Sequence, residues 1–253
     1  MLRLFIFIHL ILMCLPLQAR EFVIGLNERD VYRFKNEQNK WAGIDIELIN
    51  AIANKTPYTF KYIEMTWPRV LKSVERGEID IALSTSVTED REKYALFSNE
   101  PFRYSLHMLF VRKSKLKSFK SVSKLSDLIN APVTIGALRG AIYSDAYQHL
   151  LNNDAFKSRI AFIDNDKRMP NFVLKGRVDG YIESEIEGKA YLTKNPAFEK
   201  EIVPFIYLNK EDNISGKLMF SKKTVSQDTV DIFDVALKEI HESGEYQAIM
   251  SKY

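Results

Sequence analysis

The arrangement of apolar runs is the feature that most limits what this chain can fold into. Short runs typical of buried strands (EFVIGLN, TFKYIEM and EIDIALS) alternate with segments of helical apolar spacing (GIDIELINAIA and RVLKSVERG). In the first helical segment apolar residues recur from Ile44 to Ile52 on one face, and Gly77 is placed to end the second. Strand–helix–strand order of this kind predicts a parallel sheet with right-handed crossovers.

The same order begins again after a long predicted strand, YSLHMLFVRK. The strand-like runs APVTIGAL, RIAFID and VDGYIES alternate with helical segments in RGAIYSDAYQHLLNN and MPNFVLKGR, and two extended runs and two helices close the chain. We therefore predict an α/β protein of two lobes, each with a mostly parallel wound sheet, joined by two extended hinge crossovers. Ligand chemistry is expected between the lobes, at strand ends.

The N-terminal segment differs in kind from the rest. Arg3 precedes an almost unbroken apolar run, Leu4–Leu15, and a small residue follows at Ala19. This layout predicts a secretory signal peptide over residues 1–19 and a periplasmic mature protein. The alternative is a membrane anchor, but roughly twelve apolar residues fall short of the about 20 that span a bilayer. Cys14 is the only cysteine, so the mature chain offers no disulfide and no thiol nucleophile.

Charge and motifs exclude several functional classes. The formal net charge is +3, or +2 once the signal peptide is removed, which gives no electrostatic argument for nucleic-acid binding. His107, His149 and His241 show no metal-ligand spacing, and GxSxG, P-loop and HExxH motifs are absent. We expect no metal, no cofactor and no nucleic-acid partner.

Five stretches of the chain resemble a known family. They are GIDIELINAIA, GEIDIALSTSVTEDREKYALFS, IGALRG, LKGRVDGYIES and HESGEYQAIMSKY. In order and approximate spacing they are similar to the extracytoplasmic solute-binding proteins of ABC transporters, polar amino acid type (family 3, periplasmic binding protein-like, type II). The resemblance implies a first lobe of residues 20–110 plus 205–253 and a second lobe of residues 111–204.

The stretch around Arg91 is the most specific part of this resemblance. A guanidinium presents a fixed fork of donors that matches a carboxylate. The resemblance implies that Arg91 holds the ligand's α-carboxylate, helped by the Ser86 hydroxyl and by backbone contacts at Ser84 and Thr85. The alternative is a surface arginine in a first helical turn capped by Thr88. An arginine there opposes the helix dipole, which favours a functional reason.

Two aromatic side chains are candidate ligand contacts. Trp67 matches a position where the family places a large apolar side chain against the ligand, and it could also make a cation–π contact with an amine. The alternative is a core tryptophan that anchors the helix beginning at Pro68. Tyr32 lies in the loop after the first strand, where related proteins carry a stacking aromatic, and Phe34 is the other candidate for that role.

The second lobe should supply the rest of the site. The turn at Arg139, Gly140, Ala141 and Ile142 joins a strand to a helix, and backbone amides at such a junction bind anions. The family uses this turn to complete the carboxylate pocket when the lobes close. Ala141 stands where the family often has a hydroxyl residue, and Arg139 adds a positive charge.

The run GYIES departs from the family. Amino acid binders of this type usually carry an aspartate for the α-ammonium where this chain has Ser184. An ammonium in a closed cleft needs an anion or several acceptors. Glu183 and Glu185 flank the position and are the candidates to supply that anion.

The resemblance predicts a non-enzymatic, monomeric solute-binding protein. It would capture a small, carboxylate-bearing, amino acid-like ligand between closing lobes and present it to the membrane permease of an ABC importer. One alternative is a ligand-sensing subunit for a receptor or other sensor protein. Another is an enzyme like the periplasmic cyclohexadienyl dehydratases, with Glu183 as the acid.

Overall fold

In the computed structural model, which describes residues 20–208 and 215–253, strands and helices alternate along the chain. The strands are β1 (Glu21–Leu26), β2 (Phe34–Lys35), β3 (Trp41–Ala42), β4 (Thr59–Glu64), β5 (Ile81–Thr85), β6 (Ala95–Phe97), β7 (Arg103–Tyr104), β8 (His107–Arg112), β9 (Ile135–Leu138), β10 (Ile160–Ile163), β11 (Gly180–Ser184), β12 (Ile202–Tyr207) and β13 (Ser215–Ser221). The helices are α1 (Ile44–Lys55), α2 (Trp67–Arg76), α3 (Glu89–Glu92), α4 (Asp145–Leu150), α5 (Asp154–Lys157), α6 (Met169–Leu174), α7 (Glu185–Lys194), α8 (Pro196–Glu199), α9 (Gln227–Glu242) and α10 (Glu245–Met250). Short 3-10 segments cover Lys113–Phe119, Leu125–Asn130 and Asp166–Arg168.

The first lobe is organised by a sheet of strand order β4-β1-β5-β13-β6, with β7 paired to β13. The strand β1 pairs in parallel with β4 and with β5, and α1 and α2 provide the crossovers between them. The strand β13 returns late in the sequence and pairs antiparallel with β5 and β6. The parallel part is the strand–helix–strand unit that the apolar pattern predicts.

The second lobe repeats this plan in a sheet of order β10-β9-β11-β8-β12. Its strands β10, β9 and β11 are parallel, and β8 and β12 add antiparallel neighbours on one side. The predicted α/β architecture of two lobes with wound sheets is therefore confirmed, with antiparallel strands completing each sheet.

The chain crosses between the lobes at two places. The strand β7 ends at Tyr104 in the first sheet, and β8 begins at His107 in the second. The return lies between Tyr207, the end of β12, and Ser215, the start of β13. The lobe boundaries expected after residues 110 and 204 fall inside β8 and β12. An apolar run predicts a strand but does not show which of the two sheets that strand joins. The expected signal peptide, residues 1–19, lies outside the described residues.

Each sheet is covered by helices that bury its apolar face. In the first lobe Phe22 and Ile24 of β1 are fully buried, and the Phe22 ring meets that of Phe233 on α9 edge to face at 5.6 Å. The helices α9 and α10 pack on α1, so the end of the chain belongs to the first lobe. Within residues 20–208 and 215–253, no helix is long and apolar enough to cross a membrane.

Candidate functional site

A cavity of about 60 Å³ lies between the lobes, at the carboxyl ends of β1, β5, β9 and β11. Eight residues expected from sequence line it: Trp67, Ser84, Ser86, Arg91, Ala141, Ile142, Glu183 and Ser184. The remaining lining residues were not expected: Asn27, Arg29, Arg33, Arg103, Ser105, His107, Leu138, Tyr143, Asp166 and Gly216. Thr85, Tyr32, Arg139 and Gly140 are not part of its lining. The lobes are closed on one another around this cavity.

Arg91 joins the two lobes directly. The Thr88 hydroxyl caps α3 by accepting the Arg91 backbone N–H at 3.3 Å, as a capped first turn requires. The guanidinium donates from Nη1 to the Ser86 carbonyl at 2.7 Å and from Nη2 to the Gly140 carbonyl in the second lobe. Burial lowers the pKa of Arg91. Among the described residues no carboxylate lies within 4.0 Å of it, so a buried positive charge on the cavity wall has carbonyls and the Tyr94 side chain as partners but no counter-charge.

The hydroxyl residues before Arg91 have different surroundings. Ser86 donates to the Ile142 carbonyl at 3.2 Å, a second direct link between the lobes. Ser84 lines the cavity with a positive φ of 51°, which is unusual for a residue with a side chain. Thr85 is fully buried on β5, and its hydroxyl finds no partner in the part of the chain that the structure describes. Ser84 and Ser86 therefore line the cavity and Thr85 does not, while the backbone contact expected of Thr85 stays a prediction.

The two candidate aromatics have different roles. Trp67 begins α2, is 7% exposed and lies on the cavity wall. Tyr32 is 2% exposed and lies behind the wall, with the guanidinium carbon of Arg103 3.5 Å from its ring centroid and that of Arg29 at 5.5 Å. Tyr32 therefore supports two arginines of the site through cation–π contacts, while Trp67 faces the ligand space.

The turn after β9 approaches the first lobe through its backbone. Gly140 adopts a φ of +77°, and its carbonyl accepts from Arg91. Ala141 and Ile142 follow on the cavity wall. Arg139 points elsewhere: its Nε donates to Asp164 at 2.6 Å, and its side chain is about half exposed (53%). The positive charge that Arg139 was expected to add is therefore used outside the cavity.

Strand β11 of the second lobe ends at Glu183 and Ser184, and Glu185 begins α7 directly after it. The Ser184 hydroxyl accepts the Glu187 backbone N–H at 3.3 Å and caps α7. Glu183 lines the cavity, whereas Glu185 accepts from Tyr207 at 2.7 Å and lies outside the lining. Of the two glutamates considered from sequence, the structure brings Glu183 to the cavity.

A first-lobe arginine meets these carboxylates. Arg29 Nη2 donates to both Glu183 and Glu187, and its Nε lies 3.8 Å from Asp166 Oδ2. Burial raises the pKa of Glu187 well above its ordinary value, with a further contribution from Glu183, and Arg29 opposes the shift. Burial alone would lower the pKa of Arg29, but the three carboxylates together raise it. Arg29 is therefore firmly cationic.

A second buried charge group lies beside the first. Arg33 donates to the Asn27 carbonyl at 2.8 Å and to the Asn27 side chain at 2.6 Å. Asp45 is shared by Arg33 at 2.5 Å and Arg103 at 2.7 Å. Asp45 therefore gives both Arg33 and Arg103 a carboxylate partner, whereas among the described residues Arg91 is the arginine of the cavity wall with no carboxylate within 4.0 Å.

His107 adds a neutral ring to the cavity. Burial, reinforced by the positive charges of Arg29 and Arg103, lowers its pKa to about 3. Its ring meets Tyr143 edge to face at 5.2 Å. No group of three or more His, Cys, Asp or Glu side chains among the described residues is arranged to hold a metal ion.

Comparison with known proteins shows which family the chain belongs to. The model of the bacterial extracellular solute-binding proteins, family 3, matches residues 23–253. The L-cystine-binding protein TcyJ of Bacillus subtilis is 28% identical over 240 residues, 93% of this chain and 84% of that protein. The arginine-binding periplasmic protein of Mannheimia haemolytica is 25% identical over 93% of this chain and 92% of its own length. These relatives are binding proteins rather than enzymes.

Solved structures show the same fold. An ancestral arginine-binding protein bound to arginine superposes with a TM-score of 0.76 at 22% identity, covering 92% of this chain and 97% of that chain. A histidine kinase sensor domain with similarity to periplasmic binding proteins gives a TM-score of 0.74 at 19% identity, covering 93% and 96%. The two-lobe fold, the interlobe cavity and the match over residues 23–253 together show that this chain belongs to the bacterial extracellular solute-binding proteins, family 3.

Proposed function

We propose that the protein captures a small, carboxylate-bearing, amino acid-like solute between its lobes and presents it to the permease of an ABC importer. The observation that carries this proposal is the environment of Arg91. Its guanidinium is buried on the cavity wall, bonds two carbonyls and interacts with the Tyr94 side chain, and has no carboxylate within 4.0 Å among the described residues. By contrast, Arg33 and Arg103 share Asp45, and Arg29 meets three other carboxylates. A buried guanidinium without a counter-charge is stabilised most by a carboxylate that can accept two parallel hydrogen bonds.

Ligand binding would exchange one set of contacts for another. In the closed structure Arg91 bonds the Gly140 carbonyl, and Ser86 bonds that of Ile142. A ligand carboxylate between the lobes would take the donors of Arg91 and Ser86 from the first lobe and meet the turn at Gly140–Ile142 from the second. The ligand would stabilise the closed form by the difference between its contacts there and in the open form.

The α-ammonium would be held by the second lobe. Ser184, the residue that matches the family's aspartate, caps α7 instead. Glu183 and Asp166 both line the cavity, and Asn27 donates to Asp166 at 3.1 Å. We propose that Glu183, with Asp166 beside it, supplies the anion that pairs with the ammonium.

Family membership supports a proposal for the partner and the location. We propose export through cleavage of residues 1–19, a monomeric protein in the periplasm and delivery to a membrane permease. A sensor protein is the second candidate partner, because the same fold serves a histidine kinase sensor domain. Neighbouring genes for a permease and an ATPase would favour transport, and their absence would favour sensing.

The decisive experiment is a thermal-shift panel followed by calorimetry. Each L-amino acid is paired with its deaminated carboxylate and tested on wild type, Arg91→Ala and a control, Arg76→Ala, whose arginine is 59% exposed on α2. The proposal expects stabilisation by one or a few small amino acids, weaker stabilisation by their deaminated partners, and loss of both in Arg91→Ala only. A ligand that binds Arg91→Ala as tightly as wild type would overturn it.

A further inference from the structure

Three carboxylates of the second lobe converge beside the ligand cavity. Asp166 comes from a 3-10 segment, Glu183 from β11 and Glu187 from the first turn of α7. Their side chains are only 9%, 13% and 7% exposed. Carboxylates removed from water in this way are stabilised by a cation placed against them.

The chain supplies that cation from the opposite lobe. Arg29 follows β1, and its backbone is fixed by a two-way bridge with Arg33, at 2.7 and 2.9 Å. Its guanidinium bonds Glu183 and Glu187 and lies near Asp166, so it occupies the acidic subsite formed by these three residues. The arrangement is that of a bound guanidinium ligand, except that the guanidinium belongs to the protein.

Arg29 also separates two spaces. It lines the cavity of about 60 Å³ next to Arg91 and a neighbouring cavity of about 260 Å³. Asp166 and Glu183 line both, and the second is flanked by the rings of Tyr181 and Tyr191. Without the Arg29 side chain the two spaces would join into one elongated site, with a cation at the Arg91 end and the acidic subsite beyond it.

We propose that Arg29 is a specificity-determining residue that acts as an internal guanidinium. It fills the acidic subsite, so the wild-type cleft takes a small ligand and rejects long ligands with a cationic side chain. This inference rests on the proposed function for the ligand's carboxylate, but the acidic subsite itself requires no contact with Arg91. Truncation of Arg29 should therefore expose a binding site for guanidinium compounds.

The test compares wild type, Arg29→Ala and the exposed control Arg76→Ala. The probes are methylguanidinium, agmatine and L-arginine at low millimolar concentration, with sodium chloride as the ionic control. We expect methylguanidinium and agmatine to raise the melting temperature of Arg29→Ala but not of the other two proteins. L-Arginine should bind Arg29→Ala at least about tenfold more tightly than wild type, as measured by calorimetry.

Separate outcomes decide this inference and the proposed function. Methylguanidinium and agmatine carry no carboxylate, so their effect on Arg29→Ala stands even if no amino acid binds Arg91. If Arg29→Ala does not fold, the double variant Arg29→Ala/Glu187→Gln removes one unpaired carboxylate and should show the same response more weakly. One test can be made on the wild-type protein alone. If L-arginine binds to wild type as tightly as a small amino acid does, the proposal is overturned. A folded Arg29→Ala that responds to methylguanidinium no more than to sodium chloride would overturn it as well.

Discussion

Asp45 and Arg103 form an ion pair that joins the start of α1 to β7, the last first-lobe strand before the chain crosses to the second lobe. The distance from Asp45 Oδ1 to Arg103 Nε is 2.7 Å, and the side chains are 0% and 3% exposed. The other Asp45 oxygen accepts from Arg33 at 2.5 Å. One carboxylate thus orients two arginines of the cavity wall.

Replacement of Asp45 by asparagine should therefore destabilise the protein strongly. The variant keeps the shape of the side chain but leaves two buried guanidiniums without a counter-charge. Loss of one member of a buried ion pair costs about 3–5 kcal/mol, and urea denaturation would measure the loss. Asp231→Asn, at an exposed position on α9, is the matched control and should change the free energy of unfolding by less than about 0.5 kcal/mol. Equal midpoints for the two variants would show that Asp45 is not needed to balance the arginines.

Arg91 and Arg139 lie close to the same turn, and the structure predicts that removal of Arg91 weakens ligand binding strongly and removal of Arg139 hardly at all. Arg91→Ala should weaken ligand binding by about 100-fold, or about 2.7 kcal/mol, because a buried charge-assisted contact is lost. The affinity of Arg91→Lys should lie between those of wild type and Arg91→Ala, because a lysine ammonium keeps the positive charge but lacks the paired N–H donors of a guanidinium. Arg139→Ala should change the dissociation constant by less than about threefold, because Arg139 pairs with Asp164 at the surface. Calorimetry with the ligand found by the panel would decide, and a larger effect for Arg139 than for Arg91 would refute this assignment.

The parts of the fold and site that depend on local sequence were accessible before the structure. Apolar periodicity locates β1, α1 and β5, and the parallel order places their carboxyl ends together. The positions of Ser86 and Arg91 at one such end follow from that order. The structure then brings both to the interlobe cavity.

The remaining site residues depend on contacts between distant parts of the chain. Arg29 meets Glu187 across 158 residues, and Arg103 meets Asp45 across 58. No local pattern states which of the chain's many charged residues will form such pairs. The loop NERDVYR does follow β1 at the cavity end of the sheet. Because ligands bind at the carboxyl ends of parallel strands, Arg29 could have been predicted as a site residue. Ser184 illustrates the converse, because the resemblance predicts a ligand contact at this position, whereas the structure shows its hydroxyl capping α7.

Substitution of Gly140, which forms a left-handed turn facing the first lobe, should affect both the stability of the protein and the closure of the lobes. The φ of Gly140 is +77°, and an added Cβ would lie 2.8 Å from Leu71 Cδ1 on α2 of the first lobe. Gly244 has a similar φ of +81°, but a Cβ there would meet nothing within 4 Å. Alanine at either position should cost about 1–2 kcal/mol of stability because of the positive φ. Only Gly140→Ala should also weaken ligand binding, since only this Cβ would force a side chain of the opposite lobe, Leu71, to shift in the closed form. If calorimetry gave equal ligand affinities for the two alanine variants, the turn at Gly140 would not contribute to lobe closure.

The burial of Glu187 predicts how the stability of the protein changes with pH. Burial, helped by the charge of Glu183 and opposed by Arg29, raises the pKa of Glu187 well above its ordinary value of 4.5. A carboxyl group with a raised folded-state pKa contributes stability that is fully present below the unfolded value and is lost as pH rises through the folded value. Melting temperature, measured every half unit from about pH 4.5 upward, should therefore fall less with rising pH in Glu187→Gln than in wild type. Glu242→Gln, at an exposed position (69%) on α9, should follow wild type. A profile of Glu187→Gln parallel to that of wild type would mean that Glu187 stays ionised through this range, held by Arg29 more strongly than burial opposes it.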